Sequence, residues 1–218
     1  MPDLLFKKKK KLYSMFDDGT IAELQQSALM FLAENLDKHY TYHNAEHSRE
    51  VCSAVREFLH YFDTTPENSR ALILAAVFHD FGYLVRSQNN EALALPYMQE
   101  FGKRFALPEQ LLTRANDLIL ETVYPYAPHT REGMLLCDAD IEYIGRSCFF
   151  SKAQLFRQEL SGENIHFSDR DFMLLEIKFL EENSFFTPVC QKLRSAGRLQ
   201  NLQQLRTMFE EKTYQISR

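Results

Sequence analysis

Residues 71–80 read Ala-Leu-Ile-Leu-Ala-Ala-Val-Phe-His-Asp, a segment that is apolar on every side and ends on an imidazole and a carboxylate. Apolar runs of this length occur both as buried helices and as buried strands. Thr65 and Pro66 supply an N-cap and a first-turn proline upstream, and alanine is frequent, so we predict a buried helix. Because a charged carboxylate is costly to bury alone, Asp80 should have a cation beside it.

Turn-forming residues are scarce in the rest of the chain. The 218 residues include 7 glycines and 7 prolines, about half the share found in average proteins. With 45% hydrophobic residues, this composition argues against an all-β sandwich, which needs frequent turns. Capping signals at Thr20, Ser168 and Thr187 mark further helix starts. We therefore predict an all-α bundle of about eight or nine helices.

Lysines are concentrated near the N-terminus, where Lys7–Lys11 form an unbroken run. The whole chain is nevertheless acidic, with a net charge of −5, so no broad nucleic-acid-binding face is expected. The run is interpreted as part of a solvated arm (1–19), with weak contact to an anionic membrane surface as the alternative. One domain follows over 20–218, with a site-bearing core (42–145) and C-terminal helices (148–212).

The cysteines and the apolar runs bear on the compartment. The four cysteines are widely spaced and form no CxxC pair, which argues against a zinc–thiolate site and against a redox pair. Reduced thiols suit the cytosol. No apolar run reaches the ~18 residues of a membrane span, and no apolar segment follows the lysines as in a secretory signal. We expect a cytoplasmic protein.

Imidazole and carboxylate groups recur at spacings that favour a metal site. His43 and His47 are four residues apart, so on a helix they share one face. Two acids, Asp138 and Asp140, end another apolar segment, as the single Asp80 ends the segment at 71–80. Mixed imidazole and carboxylate ligands suit Zn, Fe or Mn, whereas carboxylates with water suit Mg or Mn. Few protein ligands would leave open positions for a hydrolytic water.

The order H…HD…D resembles the HD-domain superfamily of metal-dependent phosphohydrolases over residues 42–145. The phrase Tyr-His-Asn-x-x-His-x-x-x-Val at 42–51 is similar to a motif of cyclic-nucleotide phosphodiesterases. The His-Asp-Phe-Gly-Tyr sequence at 79–83, followed by Asn90-Glu91, looks closer to small bacterial HD proteins. Tyr83 stands where the phosphodiesterases typically carry a second histidine.

The resemblance implies one or two divalent ions (Mg, Mn, Fe or Zn) and hydrolysis of a small phosphorylated substrate, a nucleotide or cyclic nucleotide. His43 would protonate the leaving oxygen, and Asp80 counts as both ligand and catalytic residue. The implied metal ligands are His47, His79, Asp80 and Asp140.

Four further residues are candidates for supporting roles. Asp138 is the alternative to Asp140 as a metal ligand, although Asp140 is preferred because it follows an alanine and precedes an aliphatic residue, as the last ligand of that superfamily usually does. Otherwise Asp138 is either a helix-start carboxylate or an acceptor that orients a ligand histidine. Glu91 would reach the site through a water, Asn44 belongs to the motif itself, and His129 is a candidate for the substrate rim.

Other functions remain open at this point. A catalytically weak HD domain that senses a nucleotide is the main alternative. An HD-type di-iron oxygenase needs more ligands, and Tyr83 argues against it. The phenylalanines near the C-terminus (Phe179, Phe185 and Phe186) suit either the core or a homodimer contact.

Overall fold

The computed structural model describes residues 19–216, with side chains described through residue 211. Over this part of the chain there are nine α-helices, two 3₁₀ helices and no strand, which confirms the predicted all-α fold. The lysine run at Lys7–Lys11 lies outside the described residues. The helices are α1 (Gly19–Asn35), α2 (Ala45–Leu59), α3 (Pro66–Phe78), α4 (Asn90–Arg104), α5 (Glu109–Leu120), α6 (Arg131–Asp140), α7 (Phe149–Gly162), α8 (Asp169–Glu182) and α9 (Pro188–Ile216), with 3₁₀ helices at Phe81–Leu84 and Glu142–Gly145.

Helix α3 occupies the centre of the bundle and is the buried helix that the sequence predicts. It packs against α1, α2, α5 and α6, and every residue from Ala71 to Phe78 is buried. The hydroxyl of Thr65 accepts a hydrogen bond from the Asn68 amide at 3.2 Å, which caps the first turn. Neighbours on all sides explain why the helix has no polar face, and its end delivers His79 and Asp80 to the interior.

A close approach of backbones follows the end of α3. A Cβ on Gly82 would lie 1.9 Å from the carbonyl oxygen of Asn90, so only glycine allows α4 to begin against the 3₁₀ helix here. The approach places the Asn90 amide 3.2 Å from Oδ1 of Asp80, to which it donates a hydrogen bond. Gly82 thus helps to position a hydrogen-bond donor beside the buried carboxylate.

The C-terminal helices join the core through Asp138, which is fully buried at the inner face of α6. Its two oxygens accept hydrogen bonds from the Phe186 amide at 2.7 Å, the Thr187 amide at 2.8 Å and the Thr187 hydroxyl at 2.6 Å. Burial nevertheless raises the pKa of Asp138 to about 6. Asp138 lies in the last turn of α6 and not at a helix start, and its carboxylate does not contact a ligand histidine. It anchors the turn that starts α9 instead.

No helix within residues 19–216 is long and apolar enough to cross a membrane.

Candidate metal centre

Two imidazoles and two carboxylates converge at the junction of α2, α3 and α6. Nε2 of His47 lies 3.4 Å from Nε2 of His79, 3.0 Å from Oδ1 of Asp140 and 3.4 Å from Oδ2 of Asp80. Nε2 of His79 lies 3.1 Å from Oδ2 of Asp80. An ion with ligand bonds of about 2.1 Å holds neighbouring ligand atoms roughly 3 Å apart. His47, His79 and Asp80, all buried, therefore form a group that could hold a metal ion, and Asp140 borders it.

The hydrogen bonds within this group fit a cation. Oδ2 of Asp80 is buried and makes no hydrogen bond, although Nε2 of His79 is close. Nδ1 of His79 lies 3.0 Å from the Ala76 carbonyl, which can only accept, so Nδ1 carries the hydrogen. In the neutral ring, Nε2 then presents a lone pair to the cluster, as in metal-binding histidines. An unsatisfied carboxylate oxygen and an aligned imidazole lone pair are the donors that a divalent ion needs.

The pKa values of the cluster indicate that negative and positive charges are paired there. Burial by itself would lower the pKa of His79, but the charges of Asp80 and Asp140 outweigh it and raise the pKa well above the ordinary range. Burial would likewise raise the pKa of Asp140, but hydrogen bonds with His47 and His79 hold it well below its usual value. Burial would raise the pKa of Asp80 too, but the charges of the histidines lower it, so both carboxyl groups are ionised at neutral pH. They favour positive charge beside them, either as a proton on His79 or as a metal ion that takes the place of that proton.

Asp140 has a second contact that fixes its orientation. The hydroxyl of Tyr126 donates a hydrogen bond to Oδ2 of Asp140 at 2.9 Å, while Oδ1 faces the histidines. Asp138 lies two residues earlier on α6, about 200° around the helix, and faces the start of α9 instead. Of the two acids, the structure places Asp140 beside the histidines.

His43 lies just before α2 and next to the cluster. Its Nδ1 is hydrogen bonded to Glu159, whose other carboxylate oxygen accepts the His43 amide at 2.9 Å. Its ring stacks on Tyr83, with ring centres 4.4 Å apart. Burial would lower the pKa of His43, but the hydrogen bond with Glu159 and the charge of Asp80 raise it. Since Glu159 takes the Nδ1 hydrogen, Nε2 is the nitrogen that a substrate can reach.

A cleft opens beside these residues and has a polar part. This part encloses about 420 Å³ and is lined by polar side chains that include His79, Asp80 and Asn90. Glu91 also lines it, half-buried, and its pKa is raised by burial and then by the charge of Asp80. The predicted proximity of Glu91 to the site agrees with this placement.

The cleft also has an aromatic part, which adjoins the polar one because His43 and Asp140 line both. It encloses about 530 Å³, and five tyrosines and three phenylalanines line it. Helices α7 and α8 supply its outer wall, so the C-terminal helices complete the cleft. We refer to this part as the aromatic chamber.

Glu176 of α8 lines the aromatic chamber and is 4% exposed. Its Oε2 is buried and has no hydrogen-bond partner. Burial raises the pKa of this carboxyl group from an ordinary value of 4.5 to about 7. The group stays protonated well above the pH at which an exposed glutamate ionises.

This raised pKa predicts how protein stability depends on pH. The folded protein holds the Glu176 proton more tightly than the unfolded chain does. This proton therefore adds to the free energy of unfolding in full below about pH 4.5, and the added stability is lost as the pH rises to about 7. The loss has an upper bound of about 3 kcal/mol. Urea unfolding of wild type and Glu176→Gln across this range should show the variant gaining relative stability as pH rises. A difference that stays constant from pH 4 to 8 would contradict the assignment.

Two predicted residues lie elsewhere. Asn44 caps α2: its side-chain oxygen accepts the amides of Glu46 at 2.9 Å and His47 at 3.2 Å, and its amide donates to the Thr41 carbonyl. It supports the site by fixing the turn that carries His47. His129 is exposed, lines neither part of the cleft, and donates its backbone amide to Glu121. The structure therefore gives no support to a substrate-rim role for His129.

Three side chains at the site are not predicted by the sequence. Glu159 and Glu176 lie on C-terminal helices and resemble ordinary solvated acids in the sequence, and Tyr126 lies in a loop. Glu159 is 116 residues from His43 along the chain, so no local spacing connects the two. None of these three side chains has a local sequence pattern that marks it. The Asn90-Glu91 pair, by contrast, is part of the motif, and Asn90 makes a direct hydrogen bond to Asp80.

No protein-family model matches this chain, and neither does any curated protein.

Proposed function

We propose that this protein is a metal-dependent phosphohydrolase that cleaves a phosphoester. The observation that carries the proposal is the convergence of His47, His79 and Asp80 on one buried point beside an open cleft. Asp140 would complete the ligand set through Oδ1, with Tyr126 holding its other oxygen. The resemblance of the motif order to HD-domain phosphohydrolases supports the same reaction class.

The metal and the protein would divide the chemistry between them. When bound, a divalent ion lowers the pKa of a water toward neutrality and polarises a phosphoryl oxygen. The protein supplies two negative charges and two neutral imidazole nitrogens that hold the ion, and it excludes most water from the ligand atoms. The polar part of the cleft, with Asn90 and Glu91 at its wall, gives a phosphate group room to approach.

His43 suits the role of general acid. Its Nδ1 hydrogen is engaged by Glu159, its ring is held flat against Tyr83, and its raised pKa favours the imidazolium form near neutral pH. A proton on Nε2 can then pass to the departing alkoxide as the phosphorus–oxygen bond breaks, which prevents release of a strongly basic oxygen. Glu159 acts through His43 and is a positioning residue.

The lining of the cleft limits the charge of the substrate. No lysine or arginine lines either part among the residues that the structure describes. A nucleotide or cyclic nucleotide, the substrate class that the resemblance implies, would therefore have to carry few phosphates. The alternative is a catalytically weak module that binds such a ligand and regulates a partner.

The test is turnover on a panel of phosphomonoesters and phosphodiesters with Mg, Mn, Fe or Zn added singly. We expect metal-dependent release of phosphate or alcohol from at least one class, and its loss on adding a chelator. Tight ligand binding without turnover under all four metals would favour the sensor instead.

A further inference from the structure

Aromatic rings make up much of the wall of the aromatic chamber. Tyr42 contacts Tyr143 and Phe156 at ring-centre distances of 5.6 Å and 5.7 Å, and Tyr124 lies 6.2 Å from Phe179. Aromatic faces carry negative electrostatic potential, which attracts cations placed within about 6 Å of a ring centre. The chamber therefore favours an apolar group or an organic cation over an anion.

The charged residues of the chamber decide between these two. Its lining includes Asp140, Glu159, Glu163 and Glu176, and within residues 19–211 no lysine or arginine joins them. Glu159 is engaged by His43 and Asp140 by His47, so their charges are partly balanced. Glu163 and Glu176 have no basic partner in the chamber lining. An organic cation would balance the charge of Glu163 and would favour the ionised form of Glu176 over its protonated form.

Glu176 gives the chamber a specific recognition point. Its Oε2 is buried, faces no hydrogen-bond donor in the protein and lies among aromatic side chains. A buried acceptor without a partner carries a free-energy cost that a ligand N–H group would remove. A charged donor also forms the stronger, charge-assisted hydrogen bond with a carboxylate.

We propose that the aromatic chamber binds a positively charged organic group of the substrate, an ammonium, and that Glu176 selects it. The proposal rests on the proposed phosphohydrolase function, because the chamber adjoins the candidate metal centre through His43 and Asp140. The phosphoester would then have its phosphate in the polar part of the cleft and its ammonium in the chamber. This narrows the substrate away from a nucleotide with a neutral base.

The experiment measures binding of small alcohols that lack phosphate, so hydrolysis plays no part. Choline, ethanolamine and 3,3-dimethyl-1-butanol, which is the uncharged carbon analogue of choline, are titrated into metal-loaded protein by calorimetry. We expect at least one cation to bind about tenfold or more tightly than the neutral analogue. A preference for ethanolamine would indicate an ammonium that donates N–H bonds, and a preference for choline a quaternary one.

Two variants separate recognition from a general effect on folding. Glu176→Gln keeps the side-chain shape and should reduce the advantage of the cation over its neutral analogue severalfold, because the aromatic rings and Glu163 would retain only part of the preference. Glu182→Gln changes an acid on the same helix that pairs with Lys178 outside the chamber, and it should leave the preference unchanged. Thermal unfolding of both variants verifies that each is folded.

Several outcomes would overturn the inference. Equal binding of choline and 3,3-dimethyl-1-butanol to wild type, an unchanged cation preference in Glu176→Gln, or tighter binding of guanosine than of either cation would each do so. Cation selectivity without turnover of any phosphoester would contradict the proposed function and leave the chamber assignment standing. Turnover of a phosphoester that has no cationic group, without any cation selectivity in binding, would support the proposed function and overturn the chamber assignment.

Discussion

Asp140→Asn is expected to lower kcat/KM for the preferred phosphoester by about a thousandfold or more. The substitution keeps the size of the side chain, and an amide oxygen can still accept the hydrogen bond from Tyr126. It removes a carboxylate whose pKa the neighbouring histidines hold well below the usual range. The loss therefore reports the negative charge that the candidate ligand set needs, and not a change of packing.

The control for this variant is Asp117→Asn, which changes an exposed acid on α5 that lines neither part of the cleft. It should retain wild-type activity. Steady-state kinetics at saturating metal, with far-UV circular dichroism to verify folding, make the comparison. Asp140→Asn activity within about tenfold of wild type would remove Asp140 from the ligand set.

His43→Gln is expected to lower kcat by about 100-fold to 10,000-fold on substrates with alkyl leaving groups, the range typical of lost general acid catalysis. Glutamine can still accept or donate a hydrogen bond toward Glu159 but carries no proton for transfer. Metal content should stay at the wild-type level, because His43 lies outside the group formed by His47, His79 and Asp80.

The control for this prediction is a substrate with a less basic leaving group. A 4-nitrophenyl phosphoester releases a weakly basic oxygen that needs no protonation, so His43→Gln should lose much less activity on it. Glu159→Gln should show the same pattern with a smaller loss, because it acts through the orientation of His43. An equal loss on alkyl and nitrophenyl substrates would assign His43 to binding instead of proton transfer.

The sequence predicted the parts of the site that lie close together along the chain. His79 and Asp80 stand out because they end a helix that is otherwise entirely apolar, and that helix is buried as predicted. His47 was found by its spacing from His43 and by the motif at 42–51. Gly82 follows the same segment, and its role becomes clear only when Asn90 is seen against it.

The remaining contacts depend on the tertiary fold. Glu159 reaches His43, and Glu176 reaches the aromatic chamber, only because α7 and α8 fold back over the core. In sequence both resemble the solvated acids found on any surface helix. Asp138 and Asp140 could be ranked but not separated by pattern alone, since which side of α6 faces the histidines depends on packing. The hydrogen bonds of Asp138 with Thr187 assign it to the helix junction.

Metal stoichiometry is the measurement that tests the central assignment. Wild type and Asp80→Ala are each dialysed against Mg, Mn, Fe or Zn, and bound metal per chain is determined by plasma mass spectrometry. The account predicts at least one tightly held ion per wild-type chain for one of these metals, and its loss in folded Asp80→Ala. If Asp80→Ala holds as much metal as wild type, or if wild type retains none of the four, the metal centre assigned to His47, His79 and Asp80 is wrong.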